Sequence, residues 1–178
     1  MRRFQKWQKA GALLLFALAY FFDGSGVVAA VLPAVAVHEL GHLLALWAAG
    51  AQVRDIRVGL LGLEINYRGR LGQSARLGSA LAGPGAGALY AALLLAADNP
   101  FWRLSGQLSA GLTAFNLLPA LPLDGGRVAA EFLAGQNMRR LSRLTALLLL
   151  ILGLWVLWRF SSFMLLIAGA WLLLYNLS

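Results

Sequence analysis

Cysteine is absent from the 178 residues. That excludes disulfides, cysteine-held zinc, iron–sulfur clusters and thiol catalysis. Charge is scarce too: 12% of residues are charged, against about 25% in an ordinary soluble domain. With 60% hydrophobic residues and a mean hydropathy of +0.73, one water-exposed core of this length could not hide the apolar surface. A water-soluble enzyme, a disordered tail and a fibrous protein are therefore excluded. Acids number seven against 15 Lys and Arg, and histidines only two. Any metal or catalytic site has to be drawn from that short list.

What is present in quantity is apolar sequence in runs near 20 residues, the length that crosses a bilayer. Six spans are expected, at about 7–22, 27–49, 77–97, 104–123, 144–158 and 163–177, with the last two forming a hairpin. The first follows Arg2, Arg3, Lys6 and Lys9. It could be a signal peptide, but no small-x-small cleavage site follows, and a retained anchor is expected. The fourth carries Ser105, Gln107, Ser109, Thr113 and Asn116, so it should face protein or a cavity rather than lipid. Between spans two and three, β-forming residues from Val53 to Tyr67 alternate with charges, and Gly59 and Gly62 can turn the chain. A short β-hairpin is expected there, with an irregular amphipathic loop as the alternative. The fold class expected is an all-α polytopic membrane protein with this one hairpin.

Thirteen of the 15 basic residues fall in the N-terminus, the loop after span two and the segment after span four; Arg103 and Arg159 are the exceptions. In a six-span chain those regions share one side. The positive-inside rule makes it the cytoplasm, with both termini there. The basic excess is then a topology signal, and nucleic acid is not an expected partner.

Both histidines lie in His38-Glu39-Leu40-Gly41-His42, inside span two. At i and i+4 they share one helix face, their Cβ atoms about 5–6 Å apart, a spacing that lets two imidazoles reach one zinc. Glu39 projects about 100° round the helix. It can stay off the metal and accept a proton from a zinc-bound water. The bland alternative is a metal-free polar contact between helices. Burying these groups in a hydrocarbon-length segment costs about 2.5–3.5 kcal/mol for a central charge, which favours a functional reading.

A catalytic zinc usually takes three protein ligands, and without cysteine or further histidine the third should be a carboxylate. Asp23 and Asp98 fall on the outer face, Asp55 and Glu64 lie among arginines in the loop, and Glu39 is reserved as base. Asp124 and Glu131 remain; Glu131 lies beyond Arg127 in a cytoplasmic-looking segment, so the preferred ligand is Asp124. It follows the polar span and precedes Gly125-Gly126, which permit a sharp turn. Its alternative is a cap for a helix starting near Arg127. His42 lies eight residues before Gly50, about 12 Å from the cytoplasmic end. Asp124 could reach that depth if the chain after Pro119 re-enters the membrane.

His38–His42, followed by Phe115-Asn116-Leu117-Leu118-Pro119-Ala120-Leu121-Pro122-Leu123-Asp124-Gly125-Gly126-Arg127, resembles the site-2 protease family of M50-type intramembrane zinc metalloproteases. The sporulation factor-processing branch is the most similar. The resemblance covers about residues 27–127. It implies one zinc per chain on His38, His42 and Asp124, with Glu39 as acid/base and Asn116 holding substrate backbone or the reacting carbonyl. A polar contact between spans is the other reading of Asn116. Gly83-Pro84 matches the family's Gly-Pro pair, but Gly87 stands where an asparagine is often found. With Ala91, Gly83 and Gly87 make a small-residue strip suited to close packing. Neither a PDZ nor a CBS domain is recognisable.

The expected organisation is a single membrane-embedded metalloprotease domain, with a catalytic core at about 27–127 and peripheral helices at about 7–22 and 144–177. The expected function is hydrolysis of a peptide bond within or near a transmembrane segment of another membrane protein, in a bacterial cytoplasmic membrane. The partners would be that substrate, the bilayer and a regulatory membrane protein. The alternatives are a membrane zinc transporter, which would want several ligand stations along a path, and a non-catalytic zinc-binding membrane protein, against which an intact Glu39 argues.

Overall fold

The computed structural model describes residues 23–59, 62–68 and 71–177, with the backbone course alone for 53–59 and 62–68. The expected first span, about 7–22, lies outside the described residues. Six helices and two strands follow: α1 Val27–Ala48, β1 Gln52–Gly59, β2 Gly62–Arg68, α2 Gln73–Leu94, α3 Pro100–Asn116, α4 Asp124–Ala130, α5 Gly135–Phe160 and α6 Met164–Leu177. The architecture is that of an all-α polytopic membrane protein. Helices α1, α2 and α5 are long and apolar enough to cross a membrane. Strands β1 and β2 pair antiparallel, from Gln52 opposite Arg68 to Gly59 opposite Gly62, with a register shift between Val53 and Asp55.

Helix α1 buries Ala30, Ala34, His38, His42 and Leu46, an i+4 stripe that puts both histidines on the face turned into the protein. Gly41 on its flank lets α2 come close: a Cβ there would sit 2.5 Å from the Ala82 carbonyl oxygen. Helix α2 buries Ala80, Gly83, Pro84, Gly87 and Ala91, and α3 buries Ser105, Gly106, Ser109 and Thr113. The polar face of α3 thus turns inward. Ser109 donates to the Gly87 carbonyl at 2.9 Å, and the Ser105 and Tyr90 hydroxyls pair at 2.9 Å. Large apolar side chains point outward, among them Leu44, Trp47, Leu93, Leu148 and Trp158. Small and polar residues inside with large apolar ones outside is the distribution expected of helices packed in lipid.

Several helix boundaries differ from the sequence expectation, three of them with a bearing on the site or its packing. The fourth span ends as helix at Asn116, not near 123; residues 117–123 are non-helical, and α4 begins at Asp124. Pro119 and Pro122 account for this, because proline lacks the N–H a continuing helix needs. Helix α5 starts at Gly135, well before 144, because Arg139, Arg140 and Arg143 are good helix formers although they are not apolar. Helix α2 likewise begins at Gln73, ahead of 77.

A candidate metal centre

Helices α1 and α4 bring together three side chains far apart in sequence. His38 Nε2 and His42 Nε2 each lie 3.1 Å from Asp124 Oδ2 and 3.2 Å from each other. All three residues are buried, at 4%, 7% and 5% exposure. The imidazoles meet edge to face, with ring centroids 4.9 Å apart. Among the described residues this is the one group of three or more His, Cys, Asp or Glu side chains able to hold a metal ion.

The donor set fits zinc on two grounds. Ligands at about 2.0–2.2 Å in a tetrahedral shell stand about 3.3 Å from one another, close to the observed triangle. The proton positions point the same way. His42 Nδ1 lies 2.7 Å from the Ser79 carbonyl oxygen, which can only accept, so a proton is on Nδ1, and in the neutral ring Nε2 presents its lone pair. Across 3.1 Å it faces a carboxylate oxygen. In the neutral ring these are two lone-pair donors, and they face each other favourably around a cation.

The surroundings hold each donor in place. The His42 ring rests on Gly83, where a Cβ would come within 2.1 Å of Nε2. Any larger residue would push the imidazole out of the triangle. Asp124 Oδ1 points to Arg127 at 3.5 Å, while Oδ2 faces the histidines. Gly125 and Gly126 follow, but neither has positive φ, which corrects the expected turn role. Their use is steric: Cβ atoms there would lie 2.1 Å from the Leu117 carbonyl oxygen and 2.4 Å from the Ala120 carbonyl carbon. The two glycines let the start of α4 lie against 117–123.

That non-helical stretch is secured from α5 and α6, an arrangement the sequence reading missed. The Leu121 N–H donates to Ser142 Oγ at 3.1 Å, and the Leu121 carbonyl accepts from Asn176 Nδ2 at 2.8 Å. Ala120 and Leu123 pack with Ala146, Leu149 and Leu172. Irregular backbone at membrane depth needs such partners. The available signal was Ser142 and Asn176 themselves, two polar residues in or next to apolar runs.

The other two expected site residues stand apart from the triangle. Glu39 is next to His38 on α1 and half-buried, on a different side of the helix from the two imidazoles. Asn116, half-buried at the end of α3, donates from Nδ2 to the Leu112 carbonyl at 3.0 Å. Asp23 caps the start of α1 by accepting from Val28 N at 2.6 Å. Glu131 binds Arg76 through both its oxygens, at 2.7 Å each.

With that geometry in hand, comparison with known proteins defines the class. The sequence profile of Peptidase family M50 matches residues 96–159. "Putative zinc metalloprotease Rip3" of Mycobacterium tuberculosis is 32% identical over 165 residues, covering 78% of this chain and 41% of that protein. The likewise-named sll0528 of Synechocystis is 32% identical over 116 residues, 58% of this chain and 30% of that protein. The chain thus spans less than half the length of these curated relatives. The solved site-2 protease from Methanocaldococcus jannaschii superposes with a TM-score of 0.68 over 92% of this chain and 83% of that one, at 20% identity, a likeness of fold. In sequence the chain is thus similar to peptidase family M50, and in fold to a site-2 protease.

Proposed function

We propose that this chain is an intramembrane zinc metalloprotease that hydrolyses a peptide bond in or near a transmembrane segment of another membrane protein. The observation that carries the reading is the buried triangle of His38, His42 and Asp124, set among helices long and apolar enough to cross a membrane. His38 Nε2, His42 Nε2 and Asp124 Oδ2 would hold one zinc per chain. Bound there, zinc would polarise a carbonyl and lower the pKa of a water.

The chain's own residues do the rest. Glu39 takes the proton of the attacking water and delivers it to the leaving amine. Its place beside His38, off the histidine face, keeps it near the centre without making it a ligand. The Asn116 amide has two N–H donors. One is engaged by Leu112 O, and the other can hold a substrate carbonyl or the developing oxyanion. A helical substrate hides its peptide bonds and has to unwind before attack. The strands β1 and β2 form a two-stranded sheet, so each has an outer edge to which an unwound strand could pair. The distribution of basic residues supports a cytoplasmic location for both termini and for the mouth of the site. A transporter would need further ligand stations, and the two histidines of the chain are already in one site.

Reconstitution in vesicles with a transmembrane-peptide substrate tests this. Wild type should cleave, and Glu39→Gln should lose cleavage by about 10²-fold or more while retaining zinc. Undiminished cleavage by Glu39→Gln would remove Glu39 from its role. Zinc flux without cleavage in the wild type would make the protein a transporter.

A further inference from the structure

The two imidazoles of the triangle are not supported alike. Each presents Nε2 to the centre, so each must carry its proton on Nδ1 and needs an acceptor there. His42 has one in the Ser79 carbonyl, at 2.7 Å. His38 Nδ1 is buried with no hydrogen-bond partner. Thr113 Oγ1 on α3 is also buried with no partner, in a residue 7% exposed. Both orphan atoms border Gly87: a Cβ there would stand 2.5 Å from Thr113 Oγ1 and 3.6 Å from His38 Nδ1. The two atoms are thus no farther apart than those distances laid end to end, and both face the gap at Gly87. Only a residue without a side chain at 87 leaves this corner to the hydroxyl. Ser109, one turn earlier on α3, is already committed to the Gly87 carbonyl.

We propose that Thr113 is the positioning residue for His38: its hydroxyl accepts the Nδ1 proton of His38, directly after a small side-chain rotation or across one buried water, and so keeps Nε2 as the metal-binding nitrogen. Helix α2 then serves both histidines, with the Ser79 carbonyl for His42 and the gap at Gly87 that admits Thr113 to His38. Thr113 touches neither substrate nor the reacting atoms and acts through the ring. The inference rests on the zinc site proposed above.

The test is zinc affinity, measured by chelator competition on the purified full chain in detergent, for wild type, Thr113→Val and Thr113→Ser. Loss of an outer partner of this kind lowers metal affinity about 10–100-fold. Thr113→Val, nearly isosteric but without the hydroxyl, should show that loss; Thr113→Ser, which keeps the hydroxyl and loses the methyl, should bind like wild type. A packing role predicts the reverse order, and that order, or equal affinity in all three, would overturn the proposal. Nitrogen-15 histidine labelling gives a second readout, because the chain has two histidines. Thr113→Val should move the ring resonances of His38 and leave those of His42 in place; unchanged His38 resonances would count against it. The wild-type measurement separates this inference from its foundation. A wild type that binds no zinc fails both, whereas a zinc-binding wild type matched by Thr113→Val fails this one alone.

Discussion

His38 and His42 sit one turn apart on α1, and each needs something different from the helices around it. His42 needs the Ser79 carbonyl and an empty place beside its ring, which Gly83 supplies. Helix α2 therefore contributes no ligand, yet it determines where one ligand can stand. Gly83→Ala should displace the His42 imidazole and weaken zinc binding about tenfold or more. Gly85→Ala is the control on the same helix, because a Cβ at Gly85 meets nothing within 4 Å. Equal zinc affinity for the two variants, by chelator competition, would show that the ring does not depend on that gap. The pairing of the two histidines was legible from spacing alone, since i and i+4 place two donors on one face. Asp124 was legible by elimination among seven acids. Ser79 and Thr113 were not, because a backbone carbonyl leaves no trace in sequence and a threonine in a polar span has many uses.

At the scale of elements, the bundle is tied together by polar contacts at its ends and by small residues within. Arg76, in the first turn of α2, donates to both carboxylate oxygens of Glu131, which follows α4. This contact holds the short helix bearing Asp124 against α2. The paired guanidinium holds the Glu131 carboxyl below its ordinary value of 4.5. A carboxylate whose folded-state pKa is depressed contributes stability above its unfolded pKa and loses it as pH falls through the folded value. Wild type should therefore melt above Glu131→Gln at neutral pH in detergent. The difference should shrink below pH 4.5 and vanish once the folded carboxyl is protonated. A difference that stays constant down to about pH 3 would contradict the pairing.

Helix existence was readable from apolar length: α1 was expected at 27–49 and runs Val27–Ala48. Helix ends were less readable. Arginine at the start of α5 interrupts hydropathy but not the helix. The path of the chain after the proline break depends on partners, Ser142 and Asn176, that lie 21 and 55 residues beyond Leu121.

For the whole molecule, the inside-out distribution explains how a chain with so few charges carries a polar centre. The large apolar side chains exposed on α1, α2 and α5 are mainly Leu, Ile and Trp, suited to lipid. The interior faces are mostly alanine, glycine, serine and threonine, which let helices approach closely enough to bury two histidines and an aspartate. Hydrocarbon on the outside leaves the interior as the place where such groups can be satisfied. Helices α5 and α6, which carry no expected ligand, still belong to the site, because they hold the stretch that presents Asp124. These features together support the proposal of one zinc held by His38, His42 and Asp124. Zinc K-edge X-ray absorption on the purified full chain, with metal content determined on the same sample, tests that most directly. The account predicts one zinc per chain, with two imidazole nitrogens and carboxylate oxygen at about 2.0–2.2 Å, and a spectrum that changes in Asp124→Ala. A zinc-free protein, or a zinc shell without the two imidazoles, or one indifferent to Asp124→Ala, would contradict it.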